Sequence, residues 1–348
     1  MNKVFERVRR APVWLRNRAL QPAAILCYHR VTSLEWDPHR LALSPAQFEE
    51  HLIALREIGT PTTLESLATA VRDGRWIRNA IVVTFDDGYA DNLYEAKPLL
   101  EKYEVPATVF VTTGQIGAER EFWWDALERL LLGAHALPES LLLPVGEGAQ
   151  RWMIPDEARL PGDEPAPALQ ATARVVLRTS VLQDIRNALL DMHPNAITRA
   201  VDSLHAQVGI STIRRDSHRS CTAPELLKLA GERPGESLID IGAHTVTHPR
   251  LSLLDTGEQM DELHGSRLAL ESILGRPVTT AAYPFGRSSD VNQGTASAAR
   301  AAGIDVACTL SPGPLCGTRT DPLMLPRFAV HPMDGDALSR WLRYTALG

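Results

Sequence analysis

Six short apolar runs constrain this chain more than any other feature: residues 23–28, 80–85, 107–112, 237–243, 278–283 and 304–310. Each is apolar on both faces of an extended chain, so each needs cover above and below. Helical stretches separate them. Strands alternating with helices build a parallel sheet, either open and doubly wound or closed into a barrel. The helices are marked at their starts. Ser44-Pro45-Ala46-Gln47 combines a capping serine, a proline at the first helical position and a glutamine at the third, and leads into 48–58. Thr222-Ala223-Pro224-Glu225 and Asp255-Thr256-Gly257-Glu258 follow the same logic.

The alternation stops between residues 121 and 220. There 122–132 reads as a helix, 141–153 as a small hairpin and 162–167 as a proline-rich loop, followed by amphipathic stretches at 175–192 and 196–208. The expected organisation is a basic segment at 1–20, a first part of an α/β core at 21–120, a mainly helical insertion at 121–220 and a second part of the core at 221–348. A barrel with an insertion accommodates 348 residues. The net charge of -6 gives no general attraction to nucleic acid, and none is expected as a partner. Cys27, Cys221, Cys308 and Cys316 form no C-x-x-C pair, which argues against a thiolate zinc site and fits a reducing cytosol. Residues 1–20 carry six basic side chains against Glu6, and arginines interrupt every apolar run, so neither a signal-peptide core nor a membrane span is visible. The expected location is the cytoplasm. The basic segment reads first as a solvated helix, and second as a peripheral contact with the inner face of the membrane through Val4, Phe5, Val8, Val13, Trp14 and Leu15. The oligomeric state stays open.

Chemistry gathers where strands end. In parallel α/β folds the carboxyl ends of strands open onto the active site, so distant side chains converge there. Ile81-Val82-Val83-Thr84-Phe85-Asp86-Asp87-Gly88-Tyr89 runs an apolar strand into two carboxylates, with Gly88 supplying the backbone freedom of the exit. One carboxylate can ligate a metal while the other takes a proton from water. The bland alternative is a turn that ends a strand and caps a helix at Asp91. Ile241-Gly242-Ala243-His244-Thr245-Val246-Thr247-His248-Pro249 is the second signal. Two imidazoles four apart, joined by one carboxylate, make a three-ligand set of the catalytic type. Loop histidines bonded to backbone are the bland reading of that spacing. Phe122-Trp123-Trp124-Asp125 reads as core before it reads as a sugar-stacking platform. Cys27 reads as a small packed hydrophobe.

Taken together, Thr-Phe-Asp-Asp-Gly and His-Thr-Val-Thr-His resemble the polysaccharide deacetylases, the NodB-homology or carbohydrate esterase family 4 group. The likeness covers residues 23–103 and 237–327. It implies a distorted (β/α) barrel of about seven strands that hydrolyses N-acetyl groups on aminosugars, in a polysaccharide or glycolipid precursor, with a bound divalent ion such as Zn²⁺. Position by position, Asp86 matches the family's base, and Asp87, His244 and His248 match its metal ligands. Thr245 matches the hydroxyl residue that steadies the histidine loop. Tyr283, Pro284 and Phe285 match the substrate and oxyanion segment. That third motif lacks the family's arginine, reading Ala282-Tyr283-Pro284-Phe285, and the family's Leu-x-His motif is not evident after it. Arg327 in Leu325-Pro326-Arg327-Phe328 is the candidate replacement for the arginine. Ile25-Leu26-Cys27-Tyr28-His29 resembles the opening strand of the poly-N-acetylglucosamine deacetylase subgroup, where motif order is permuted, and His29 then matches the acid, with His331 as second candidate. An O-acetyl ester, an N-formyl sugar or a cyclic amide would suit the same site. A carbohydrate-binding module with a dead site is the alternative of a different class.

Overall fold

The computed structural model describes residues 22–75, 77–145, 148–159, 168–233, 235–315 and 320–347. The basic segment at 1–20 and the proline-rich stretch at 162–167 lie outside them. Seven strands form the main sheet: β1 (Ala24–Tyr28), β2 (Ala80–Phe85), β3 (Ala107–Val111), β4 (Ile239–Ala243), β5 (Thr280–Ala282), β6 (Val306–Cys308) and β7 (Phe328–Ala329). They lie in the order β6-β5-β4-β3-β2-β1-β7, and Thr60–Pro61 adds a short side pairing to β2. Every pairing along this path is parallel. Parallel neighbours need a crossover, and helices lie between successive strands from β1 to β6. The chain leading into β7 touches both edges of the curled sheet. Leu325 bonds with Ala307 and Thr309 beside β6, while Phe328 and Ala329 pair with β1. A distorted barrel results.

Side chains alternate across each strand, so the sheet serves two cores. Ala24, Leu26 and Tyr28 of β1, with Ile81, Val83 and Phe85 of β2, pack outward against Phe48, Leu52 and Leu55 of the first helix. Ile25, Val82, Phe110, Ala282, Val306 and Cys308 fill the interior. The alternation continues past the last apolar residue. Cys27, Thr84 and Asp86 therefore share the interior parity, at the end where the strands finish. All three marked helix starts form: Gln47 N–H donates to Ser44 Oγ at 3.2 Å, Thr222 N–H to Glu225 Oε2 at 2.8 Å and Glu258 N–H to Asp255 Oδ1 at 2.9 Å.

Backbone contacts divide the chain into two compact units. One comprises residues 1–34, 40–116 and 220–348; the other comprises 35–39 and 117–219. The second unit has its own core of Leu127, Leu130, Leu131, Leu182, Ile185 and Leu204, built on helices Trp123–Leu132, Ala168–Leu190 and Pro194–Val208. The hairpin Ser140–Val145 and Gly148–Met153 completes it. Phe122 and Trp124 stack at 4.4 Å and are buried, the arrangement of core aromatics. No described helix is long and apolar enough to cross a membrane.

Candidate active site

The exit from β2 is built by two consecutive residues in the left-handed region, Asp87 at φ 74 and Gly88 at φ 79. The turn thus rests on Asp87 as well as on the glycine. It rotates Asp87 out of strand alternation and brings both carboxylates to one mouth. Thr245, His248 and Phe285 also have left-handed backbones. Non-glycine residues adopt this conformation at a cost and hold it only where the surroundings over-determine it. Four of them at one site mark it as a place of stored strain.

Asp87, His244 and His248 each offer a ligand atom within 4.8 Å of the others. Asp87 Oδ1 lies 3.6 Å from His244 Nε2 and 3.4 Å from His248 Nε2. These gaps exceed a good hydrogen bond. Donors sharing a tetrahedral ion with bonds of ~2.0–2.1 Å stand about 3.3 Å apart, so the spacing suits a bridging cation. His244 Nδ1 lies 2.8 Å from the Ala282 carbonyl, which places its proton there and turns the Nε2 lone pair inward. Burial lowers the pKa of both histidines, so both are neutral, the state a metal needs. The donor set fits a divalent ion. The loop between the histidines is held from within. Thr245 Oγ1 donates to His244 O at 2.5 Å and accepts His248 N–H at 3.1 Å. Glu262 accepts the backbone N–H groups of Val246 and Thr247 at 2.7 and 2.8 Å, a support the sequence reading missed.

Asp86 occupies a different environment. Arg327 grips it with both Nη atoms, each 2.7 Å from a separate carboxylate oxygen. Nε of Arg327 donates to Thr309 O at 3.0 Å and Nη1 also to Thr84 Oγ1 at 3.0 Å, so the guanidinium is fixed on three sides. Burial alone would raise the Asp86 carboxyl, but Arg327 outweighs it and holds the group well below the usual carboxylate range. Cys27 Sγ donates to Asp86 Oδ2 at 3.3 Å, so the residue read as packing touches the carboxylate. Strand alternation was the signal available for Cys27 and Thr84, since they share parity with His29 and Asp86.

His29, Cys27 and Asp86 form a second group of ligand-type atoms within 4.8 Å of one another. His29 therefore flanks the Asp86 carboxylate. Burial pushes its pKa down to about 4, with Asp86 pulling upward and Arg327, His244 and His331 downward. His331 is exposed and only 3.5 Å from the Arg40 carbonyl through Nδ1. Phe285 packs its ring on His248 at 4.8 Å, edge to face, and forms one wall. Pro284 is buried and its carbonyl accepts the Gly286 N–H. Tyr283 is the one expected site residue that turns away. Its side chain packs in the outer core and its hydroxyl donates to Leu323 O at 3.0 Å, because Ala282 before it takes the interior parity. In the second unit Asp125, Glu128 and His218 also cluster, but Arg215 supplies the cation there, 3.1 Å from Glu128.

The site histidines make stability acid-sensitive. A histidine depressed below its unfolded value of 6.5 binds its proton more readily when the chain unfolds, so stability is full above 6.5 and declines as pH falls toward about 4. Urea unfolding of chelated protein should show a lower midpoint at about pH 5 than at about pH 7, with a shallower decline in His29→Asn. A midpoint indifferent to pH over that range would contradict the assignment.

A family model described as polysaccharide deacetylase matches residues 74–137 and 217–307. On both sides of the insertion, this barrel is similar to the polysaccharide deacetylase family. A Bacillus subtilis (strain 168) protein named "Putative polysaccharide deacetylase YxkH" is 32% identical over 119 residues, 34% of this chain and 41% of that protein. The poly-beta-1,6-N-acetyl-D-glucosamine N-deacetylase of Staphylococcus aureus is 32% identical over 80 residues, 22% of this chain and 27% of that protein. The chain thus spans less than half the length of these curated relatives. Two solved structures share the fold: Streptococcus pyogenes deacetylase PplD in complex with acetate, with TM-score 0.54 and 17% identity over 92% of this chain and 97% of that one, and IcaB from Ammonifex degensii, with TM-score 0.54 and 17% identity over 93% and 97%.

Proposed function

We propose that the chain is a metal-dependent hydrolase that removes N-acetyl groups from an aminosugar in a glycan or glycolipid. The observation that carries this reading is one mouth holding two differently prepared carboxylates, Asp87 facing two neutral histidines and Asp86 locked by Arg327. Asp87, His244 and His248 would hold a divalent ion, Zn²⁺ in our reading, whose Lewis acidity polarises the amide carbonyl and makes water more acidic. Asp86 is the base. Arg327 keeps it ionised and fixes its direction, so it takes the proton of the attacking water without rotating. Phe285, on its strained turn, presents backbone N–H toward the developing oxyanion and walls the pocket beside His248. Pro284 and Thr245 hold the two loops that carry these groups. The family match and the poly-N-acetylglucosamine deacetylase among the relatives favour an N-acetylated sugar as substrate.

His29 serves as proton donor to the departing amine, which leaves poorly without one. Such a donor must carry a proton, and its folded pKa of about 4 puts the loss early. The alkaline decline of kcat/KM should therefore begin on the acid side of 6.5 and weaken in His29→Ala. That variant should keep its metal and lose a factor of roughly 10²–10⁴ in turnover. Near-normal turnover in it, with His331→Ala inactive, would move the role to His331.

The test of substrate class is stoichiometry on β-1,6-linked N-acetylglucosamine oligomers. Acetate and new free amine should appear in equal amounts. Acetate without amine from an O-acetylated glycan would make the protein an esterase, formate from an N-formyl sugar a deformylase, and binding without turnover a carbohydrate-binding module.

A further inference from the structure

The strand exit that carries His29 is held by the same short stretch that carries the catalytic aspartates. Asp86 N–H donates to Tyr28 O at 3.0 Å, one residue before the histidine. Asn92 Nδ2 donates to the carbonyl of His29 itself at 3.0 Å. Asp91 then takes the next two residues, accepting Arg30 Nε at 2.9 Å and Val31 N–H at 3.1 Å. Residues 86–92 thus grip four consecutive positions, 28–31, and the grip is buried. Asn92 is wholly buried and Arg30 is 2% exposed, with its guanidinium 4.3 Å from the Tyr89 ring centre.

The local backbone is shaped for this. Asp91 makes no capping bond to the helix that follows, and the helix opens with a π-helical turn over Asn92–Ala96. A π turn is rarer and less stable than an α turn, and it recurs at functional sites. Here it sets the Asn92 amide toward the His29 carbonyl. Asn92 Oδ1 accepts nothing among the described residues, so this side chain contributes as a donor.

We infer that Asn92 is a positioning residue for the proton donor, setting the distance between His29 and the Asp86 carboxylate through the His29 backbone. Asp91, through Arg30 and Val31, keeps the following turn from drifting. This rests on the reading of His29 as donor. Asn92 touches no substrate and acts only through His29, so its loss should hurt reactions in proportion to their need for a proton on the leaving group.

Leaving-group chemistry separates that role from a merely structural one. Asn92→Ala, Asn92→Ser and His29→Ala are compared with the unaltered holoenzyme on an N-acetylglucosamine oligomer and on 4-nitrophenyl acetate. The phenolate of the ester departs without protonation, whereas the amine does not. Asn92→Ala should lose roughly 10–10² in amide turnover with little change in KM, as a misplaced reacting group does, while ester turnover stays within about twofold. Asn92→Ser keeps a hydroxyl donor and should recover part of the loss. It also carries the test if the alanine variant fails to show a cooperative melt. Equal losses on both substrates, or no loss on either, alongside a selective amide loss in His29→Ala would overturn the inference and leave His29 as donor. No selective loss in His29→Ala would overturn both.

Discussion

Asp86→Asn is expected to retain one metal ion per chain and to lose a factor of roughly 10²–10⁴ in acetate release. Asparagine keeps the shape of the side chain but gives water no place to leave its proton. Asp87, His244 and His248, the three groups that converge within 4.8 Å, are untouched by the change. Metal analysis and acetate release on the same sample separate the roles. Loss of the ion would make Asp86 a ligand, and undiminished turnover would remove it from the chemistry.

Arg327→Met should produce the largest effect on stability. The arginine is fully buried and its partner carboxylate nearly so. Removing one partner of a buried, doubly bonded pair strands the other charge, at a cost of about 3–5 kcal/mol. Turnover should fall as well, since Asp86 loses the group that orients and ionises it. Asp86→Asn/Arg327→Met, which strands neither charge, should recover most of the stability and none of the activity. Denaturant unfolding of the four proteins measures the coupling. Additive losses would mean that the pair does not act as a unit.

Much of this architecture was legible because burial on two faces leaves a plain mark. All six apolar runs became strands of the main sheet, with ends that differ from the runs by no more than two residues. β7 was not legible. It is two residues long and preceded by a buried arginine, and a strand that short has no periodicity to read. The metal-type cluster was readable from spacing and strand ends. The partner of Asp86 was readable only as a gap in a motif with a candidate 241 positions away to fill it. Cys27 and Thr84 carried a weaker sign, the parity of an alternating strand. Asp91 was legible only as a helix cap, whereas its side chain bonds to Arg30 and Val31 instead. Glu262 and Asn92 carried no sign, because backbone hydrogen bonds between distant loops leave no pattern in composition or period. Tyr283 shows how a motif match overreaches. It adjoins Pro284 and Phe285, but its side chain packs in the outer core.

One bound divalent ion should be both necessary and sufficient for this mouth to hydrolyse an acyl amide. The most direct test strips the protein with a chelator, restores Zn²⁺ in substoichiometric steps and follows acetate release from an N-acetylglucosamine oligomer. Release should be negligible without metal, rise linearly and level off at one ion per chain, and fail to return in Asp87→Ala, His244→Ala or His248→Ala. Full acetate release from protein shown to be free of metal would contradict the account.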